Sequence, residues 1–71
     1  MDKFSDIKRM ANQIAVAFQA YPQDQAAKET ANHIKSYWDP RMRKQLAEVI
    51  AKDKAALNPI ALAAGKILGL G

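Results

Sequence analysis

Two of the three prolines directly follow a side chain that can cap a helix, and this pairing fixes where helices begin. In Asp39-Pro40 the carboxylate can accept orphan backbone N–H groups, and proline fits the first helical position without losing a needed donor. The same arrangement recurs at Asn58-Pro59. Each pair therefore predicts a helix that starts at its proline and a break in the chain just before it.

Between these breaks, apolar residues recur at three- and four-residue steps, as they do on one face of a helix. The predicted helices span residues 5–20, 23–37, 40–54 and 59–68. Ser5 should cap the first helix, Tyr21-Pro22 should end it, and Gly69 and Gly71 should end the fourth. The short first connection predicts a helical hairpin with the apolar faces of its two helices together.

The composition supports the same fold class. Nearly half of the 71 residues are apolar, only three are glycine and none is cysteine, so helix packing or a partner, rather than disulfides or thiolate metal sites, must stabilise the chain. We therefore expect an all-α fold, a single domain built as a small bundle of three helices plus a short C-terminal fourth helix.

Polar side chains are expected on the solvent side of these helices. Lys8, Asn12 and Gln19 fall opposite the apolar face of the first helix, and Asn12 and Gln13 are expected to be surface or interface amides. Glu48 precedes Lys52 by four residues, a spacing that favours an exposed ion pair on the third helix.

The fourth segment is apolar nearly all round, since Lys66 is its only charge among residues that include Ile60, Ile67 and Leu68. A helix without a polar face has to be buried, and a chain this short has little core to bury it in. Two interpretations remain open. Part of the segment docks on a partner, or it completes the four-helix core and its last residues fray.

The first turn of the third helix carries Arg41, Arg43 and Lys44, where the helix macrodipole disfavours cations by about 0.3–1 kcal/mol each. On a helix Arg41 and Lys44 share a face while Arg43 points well away. An ordinary solvated basic turn is one interpretation. The other is that these residues bind an acidic protein surface, together with Tyr37 on the flank, because guanidinium groups hold carboxylates bidentately.

No catalytic or metal-binding constellation is visible in the sequence. The one histidine, His33, lies at the edge of an apolar face beside Tyr37, without a nearby nucleophile or an obvious carboxylate to orient it. Trp38, the only tryptophan, is expected at the centre of the core. We expect a chain that is not an enzyme and that binds no cofactor or metal.

Several blocks of sequence together carry a resemblance to a known family. They are RMANQIA at residues 9–15, YP at 21–22, HI at 33–34, YWDPRMRKQL at 37–46 and the proline-led segment at 58–59. In this order and spacing, over about residues 8–64, the chain resembles the delta subunit of NAD-dependent, molybdenum-containing formate dehydrogenases.

The resemblance implies a non-catalytic subunit of a cytoplasmic enzyme complex. In such a complex the large catalytic subunit holds molybdopterin and iron–sulfur clusters, and associated subunits pass electrons through flavin to NAD. This chain would supply ligands to none of these cofactors. It would bind the catalytic assembly and support its stability or maturation, with Ile60, Ile67 and Leu68 of the tail joining the basic turn as partner-binding residues.

Two other functions remain open. With a net charge of +4, a helix-turn-helix whose recognition helix is residues 40–54 could bind nucleic acid, although Glu48 and Asp53 on that helix would repel phosphates. A helical adaptor could instead bind its own copy through the C-terminal segment. No signal peptide and no apolar run of about 20 residues is visible, so no membrane association and a cytoplasmic location are expected.

Overall fold

The computed structural model describes residues 4–70, which form four α-helices and one 3-10 turn. The helices are α1 (Ser5–Ala17), α2 (Gln23–Tyr37), α3 (Pro40–Asp53) and α4 (Pro59–Ile67), and the 3-10 turn (Lys54–Ala56) lies between α3 and α4. Within residues 4–70 there is no β-strand. The predicted all-α fold class is confirmed.

The two predicted helix starts are formed as the sequence indicates. The Asp39 carboxylate accepts a hydrogen bond of 2.8 Å from the backbone N–H of Met42, and the Asn58 side-chain oxygen accepts one of 2.8 Å from that of Ile60. Ser5 is not a cap, because it is already the first helical residue and the residue before it offers no capping side chain. That part of the prediction is wrong by one position.

α1 ends at Ala17, three residues earlier than predicted. Residues 18–20 continue as a tight turn, in which the backbone N–H of Phe18 reaches the Ala15 carbonyl at 3.2 Å and the N–H of Tyr21 reaches the Phe18 carbonyl at 3.1 Å. Proline at position 22 bars the helical conformation at Tyr21, and the chain resolves this by tightening its last turns.

The C-terminal end of α4 is closed by a Schellman motif. Gly69 has a φ of +77°, the left-handed conformation that glycine adopts without a steric penalty. The N–H of Leu70 donates to the Gly65 carbonyl at 2.8 Å and that of Gly69 donates to the Lys66 carbonyl at 3.0 Å. The predicted stop at Gly69 is confirmed, while Gly71 lies outside the described residues.

α4 contacts all three other helices, and its most extensive contact is with α2. The predicted α1–α2 hairpin is present but is the smaller contact, so α2 chiefly faces α4 rather than α1. The buried residues of α2 and α4 are mostly small, which lets the two backbones lie close: Ala26, Ala27, Thr30, Ala31 and Ile34 on α2, and Ala61, Ala64 and Gly65 on α4. Part of α4 therefore completes the core.

Large core residues come from α2 and α3, and Ile7 of α1 and Leu57 just before α4 join them. Ile34, Leu46 and Val49 are fully buried, and Trp38 is only 7% exposed, which confirms its predicted place in the core. Gly65 lies where α4 approaches α3, and a Cβ at this position would overlap the Cδ1 atom at the end of the Ile50 side chain, which would have to shift.

The polar side of α1 does not simply face solvent, contrary to the prediction. The Nζ atom of Lys8 lies 2.7 Å from the Asp53 carboxylate at the end of α3. Asn12 donates its side-chain N–H to the Ala56 carbonyl at 2.9 Å, and its side-chain oxygen accepts the Asn58 N–H at 2.8 Å. This two-point contact, the Asn12 clamp, fixes the connection between α3 and α4 against α1.

The remaining surface predictions have mixed outcomes. Gln19 is exposed, as expected. Glu48 and Lys52 form no ion pair within the described part of the chain, although their spacing favours one. The free energy available to such exposed pairs is a few tenths of a kcal/mol, about the entropy cost of holding two long side chains together.

Candidate functional site

The basic turn of α3 presents cations that have no partner among residues 4–70. Arg41 and Lys44 are exposed, and neither they nor Arg43 has a carboxylate within ion-pair distance there. The Nε atom of Arg43 is shielded from solvent and makes no hydrogen bond. The nearby Asp39 carboxylate already accepts the Met42 N–H. The structure therefore leaves the charge of this turn available to a group outside these residues.

A small groove of about 280 Å³ opens between this turn and the end of α4. It is lined by Pro40, Arg43, Lys44, Leu68 and Leu70. The prediction that Arg43 points away from the other two cations is therefore wrong for Lys44, which lines the same groove. The end of α4 lies between these neighbouring positions of α3, an arrangement that a helical wheel of α3 alone does not show.

A larger groove of about 650 Å³ lies between the second half of α3 and α4. Its apolar lining consists of Ile50, Ala51, Ala55, Leu57, Leu62 and Leu70. Lys54 and Lys66 are its charged residues. Leu70 lines both cavities, and we call the two together the α3–α4 groove.

The other predicted site residues lie elsewhere on the surface. Tyr37 is 75% exposed, and its ring centroid lies 4.7 Å from that of His33. Ile67 is 54% exposed, whereas Ile60 is partly buried against the core. Of the seven predicted partner-binding residues, the structure brings Arg43, Lys44 and Leu68 together in the groove, and Tyr37, Arg41, Ile60 and Ile67 do not line it.

His33 lines a separate shallow groove of about 310 Å³ between α1 and α2. The other residues that line it are Met10, Gln13, Ile14 and Trp38, so none of them is a carboxylate or a nucleophile that could work with the imidazole. Across the described part of the chain, no three His, Cys, Asp or Glu side chains converge as metal ligands would. The surfaces shown by the structure are suited to contact with other molecules through packing and charge.

Sequence reasoning did not identify Lys54, Lys66, Leu62 or Leu70 as parts of one surface. A signal existed, because Leu62 and Lys66 are four residues apart and share a face of α4. The sequence did not show which helix packs beside this face of α4.

None of the helices within residues 4–70 has the length and apolar character needed to cross a lipid bilayer.

Comparison with known families identifies the chain. Comparison with curated proteins and with solved structures gives no match. The family described as NADH-dependent formate dehydrogenase delta subunit, FdsD, matches residues 7–64, a range that runs from α1 into α4 and includes both helix-start signals and the basic turn. This match agrees with the sequence resemblance and covers most of the chain, so the chain belongs to the family of formate dehydrogenase delta subunits.

Proposed function

We propose that this chain is a non-catalytic delta subunit that binds the catalytic assembly of an NAD-dependent formate dehydrogenase and supports its stability or maturation. The family match over residues 7–64 carries the proposal. A small helical body with unpartnered cations and open grooves is suited to such a role.

In this proposal the cofactors belong to partner subunits in a cytoplasmic complex. The large catalytic subunit would hold molybdopterin and iron–sulfur clusters, and associated subunits would hold flavin and bind NAD. Iron–sulfur clusters are held mainly by cysteine thiolates, and this chain contains no cysteine. Its own residues would act by binding a partner subunit and not by transferring electrons.

The contact would use exposed arginine and tyrosine side chains near the α2–α3 connection. The Arg41 guanidinium is exposed and can hold a partner carboxylate bidentately. Tyr37, at the end of α2, precedes the α2–α3 connection and offers a large exposed ring that packs beside the His33 ring. Such aromatic and arginine side chains supply much of the binding energy at protein interfaces.

Nucleic-acid binding gains no support from the family match. In that alternative α3 would be the recognition helix, yet Glu48 and Asp53 lie along it. Carboxylates on a recognition helix repel phosphates and weaken the electrostatic attraction that dominates such binding.

The proposal is tested by purifying the tagged chain from its native cells, identifying bound proteins by mass spectrometry and assaying formate-dependent NAD reduction. Recovery of the formate dehydrogenase subunits in fixed stoichiometry, with activity, would establish a resident subunit. Recovery of only an immature large subunit would establish an assembly factor. Recovery of nucleic acid or of the chain alone would contradict the proposal.

Point substitutions are the suitable variants for mapping this contact. Deleting residues 60–71 would remove buried Ala61 and Ala64 and thereby damage the core. Arg41→Glu changes an exposed residue and should weaken recovery of the complex while leaving the circular dichroism spectrum unchanged. Lys28→Glu, an equally exposed charge reversal on α2, is the matched control and should have little effect.

A further inference from the structure

The α3–α4 groove combines an aliphatic lining with charge of a single sign. Its charged side chains are Arg43 and Lys44 at the end near the start of α3, and Lys54 and Lys66 at the larger end. No carboxylate lines either part of it. An apolar channel bordered by four cations attracts a ligand that is apolar along one side and acidic along its edges.

None of the carboxylates on α3 or at its start lines this groove. Asp53 is held by Lys8 on the side of α1, with 2.7 Å between the charged atoms. Asp39 is engaged with the Met42 N–H, and Glu48 forms no ion pair within residues 4–70. The fold thus pairs one α3 carboxylate with α1 and leaves the groove cations without a described partner.

We propose that the α3–α4 groove binds an acidic amphipathic helix of another polypeptide in the formate dehydrogenase complex. This inference rests on the proposed function and names the chemistry of the contact. Apolar residues of the bound helix, spaced three and four apart, would lie against Leu62, Leu70 and Ile50. Its Asp or Glu side chains would reach Lys54 and Lys66 at one end and Arg43 and Lys44 at the other.

The charge pattern favours this occupant over a second copy of the chain. In a symmetric dimer that paired the two grooves, each set of four cations would face the same four cations, and the repulsion would oppose association. A helix is favoured over an isolated side chain because the two cavities take their linings from both ends of α3 and share Leu70.

The first test measures binding of the purified full chain to formate dehydrogenase prepared without its delta subunit. The groove variant Lys54→Glu/Lys66→Glu is compared with Lys28→Glu/Lys35→Glu, which reverses two exposed charges on α2 and has the same net charge. We expect the groove variant to raise Kd by about tenfold or more and the control to change it by about twofold or less. Because all four lysines are exposed, circular dichroism and Trp38 fluorescence should show intact folds.

The second test identifies the occupant directly. A photo-crosslinking phenylalanine derivative replaces Ala55, which is exposed and lines the groove, and in a control chain it replaces exposed Ala17 of α1. After irradiation of the assembled complex, the crosslink from position 55 should map to a partner segment with helical apolar spacing and acidic flanks. Position 17 should give no crosslink to that segment.

The outcomes separate this inference from the proposed function. Equal Kd values for wild type and groove variant would overturn the groove assignment while the proposed function stands. A crosslink to a basic segment, to a second copy of the chain or to a bound fatty acid would also overturn it. Failure of the wild-type chain to bind either the delta-free enzyme or the immature large subunit would overturn both.

Discussion

Two faces of α4 differ in how they pack. One face, which we call the closed face, is buried in the fold, and the neighbouring face, which we call the open face, borders the α3–α4 groove. The closed, inner face of α4, Ala61, Ala64 and Gly65, is buried. The neighbouring face carries Leu62 and Lys66 and borders a groove of about 650 Å³. Both faces are largely apolar, so hydrophobicity alone does not distinguish them. The size of the side chains does, because small residues allow close backbone approach whereas the larger ones beside them border unfilled space.

This contrast explains how a helix that looks too apolar for a small protein is accommodated. The inner face of α4 is buried inside the fold, mainly through contact with α2. The groove face keeps its aliphatic surface beside solvent and adds a lysine to it. We interpret the closed face as stabilising the fold and the open face as available for binding. Three substitutions, one in α4 and two in the helices that pack around it, test this interpretation.

The largest effect is expected from Ala64→Leu on the closed face. Ala64 is fully buried, and three extra carbon atoms would force α4 away from its neighbours. Overpacking of this kind typically costs about 1–3 kcal/mol, and we expect about 3 kcal/mol here because Ala64 is fully buried in the helix contact. Urea unfolding followed by fluorescence of buried Trp38 measures the loss.

Ala17→Leu is the control for this prediction, because it makes the same change at an exposed position of α1. It should alter the free energy of unfolding by no more than about 0.5 kcal/mol. If Ala64→Leu were tolerated equally well, the inner face would not be closely packed and the contrast between the two faces would fail.

Asn12→Ala should have the next largest effect, because the Asn12 clamp positions the start of α4 and hence the mouth of the groove. Its loss leaves the Asn58 N–H and the Ala56 carbonyl without their partner in partly buried surroundings. We expect a loss of about 2 kcal/mol in the free energy of unfolding. Amide hydrogen exchange should also show loss of protection at Asn58.

The matched control is Asn32→Ala, in which the same side chain is removed from an exposed position of α2. It should leave both the free energy of unfolding and the exchange of Asn58 close to wild type. Equal effects of the two substitutions would mean that Asn12 does not hold the connection in place.

The smallest effect, and one of opposite sign, is expected from Thr30→Val on α2. The Thr30 hydroxyl is fully buried and makes no hydrogen bond, an arrangement that costs stability. Valine keeps the shape and removes the unpaired group, so thermal unfolding should show a gain of about 1 kcal/mol.

Thr30→Ser provides the complementary measurement, because it keeps the hydroxyl and removes the methyl group. It should destabilise the chain through the small cavity that it creates. A loss of stability in Thr30→Val would instead show that the hydroxyl has a hydrogen-bonding partner in solution, and the buried side of α2 would then contain a polar contact.

Local features of the sequence predicted much of the fold. Asp39 and Asn58 cap their helices because a cap depends on a side chain and backbone groups only two or three residues away. Gly69 ends α4 for an equally local reason. Lys8 and Asn12 escaped prediction, because their partners Asp53, Ala56 and Asn58 are more than forty residues further along the chain.

In the candidate site, too, local sequence predicted some of the residues and the tertiary structure placed the others. The cations of the basic turn were recognisable from the conflict between their charge and the helix dipole. Their relation to Leu68 was not, because it depends on where the end of α4 crosses α3. Lys54 and Lys66 were similarly ordinary surface residues until the structure placed them beside one apolar cavity.

The sequence by itself determined the helical class, the helix starts and the motifs that the family match confirmed, since each depends on residues close together in the chain. Only the tertiary structure decided that α2 faces α4, that the polar side of α1 holds the α3–α4 connection and that four cations surround one groove. The physical reason is that periodicity shows which face of a helix is apolar, whereas the partner of that face is set by side-chain size and by contacts between distant segments.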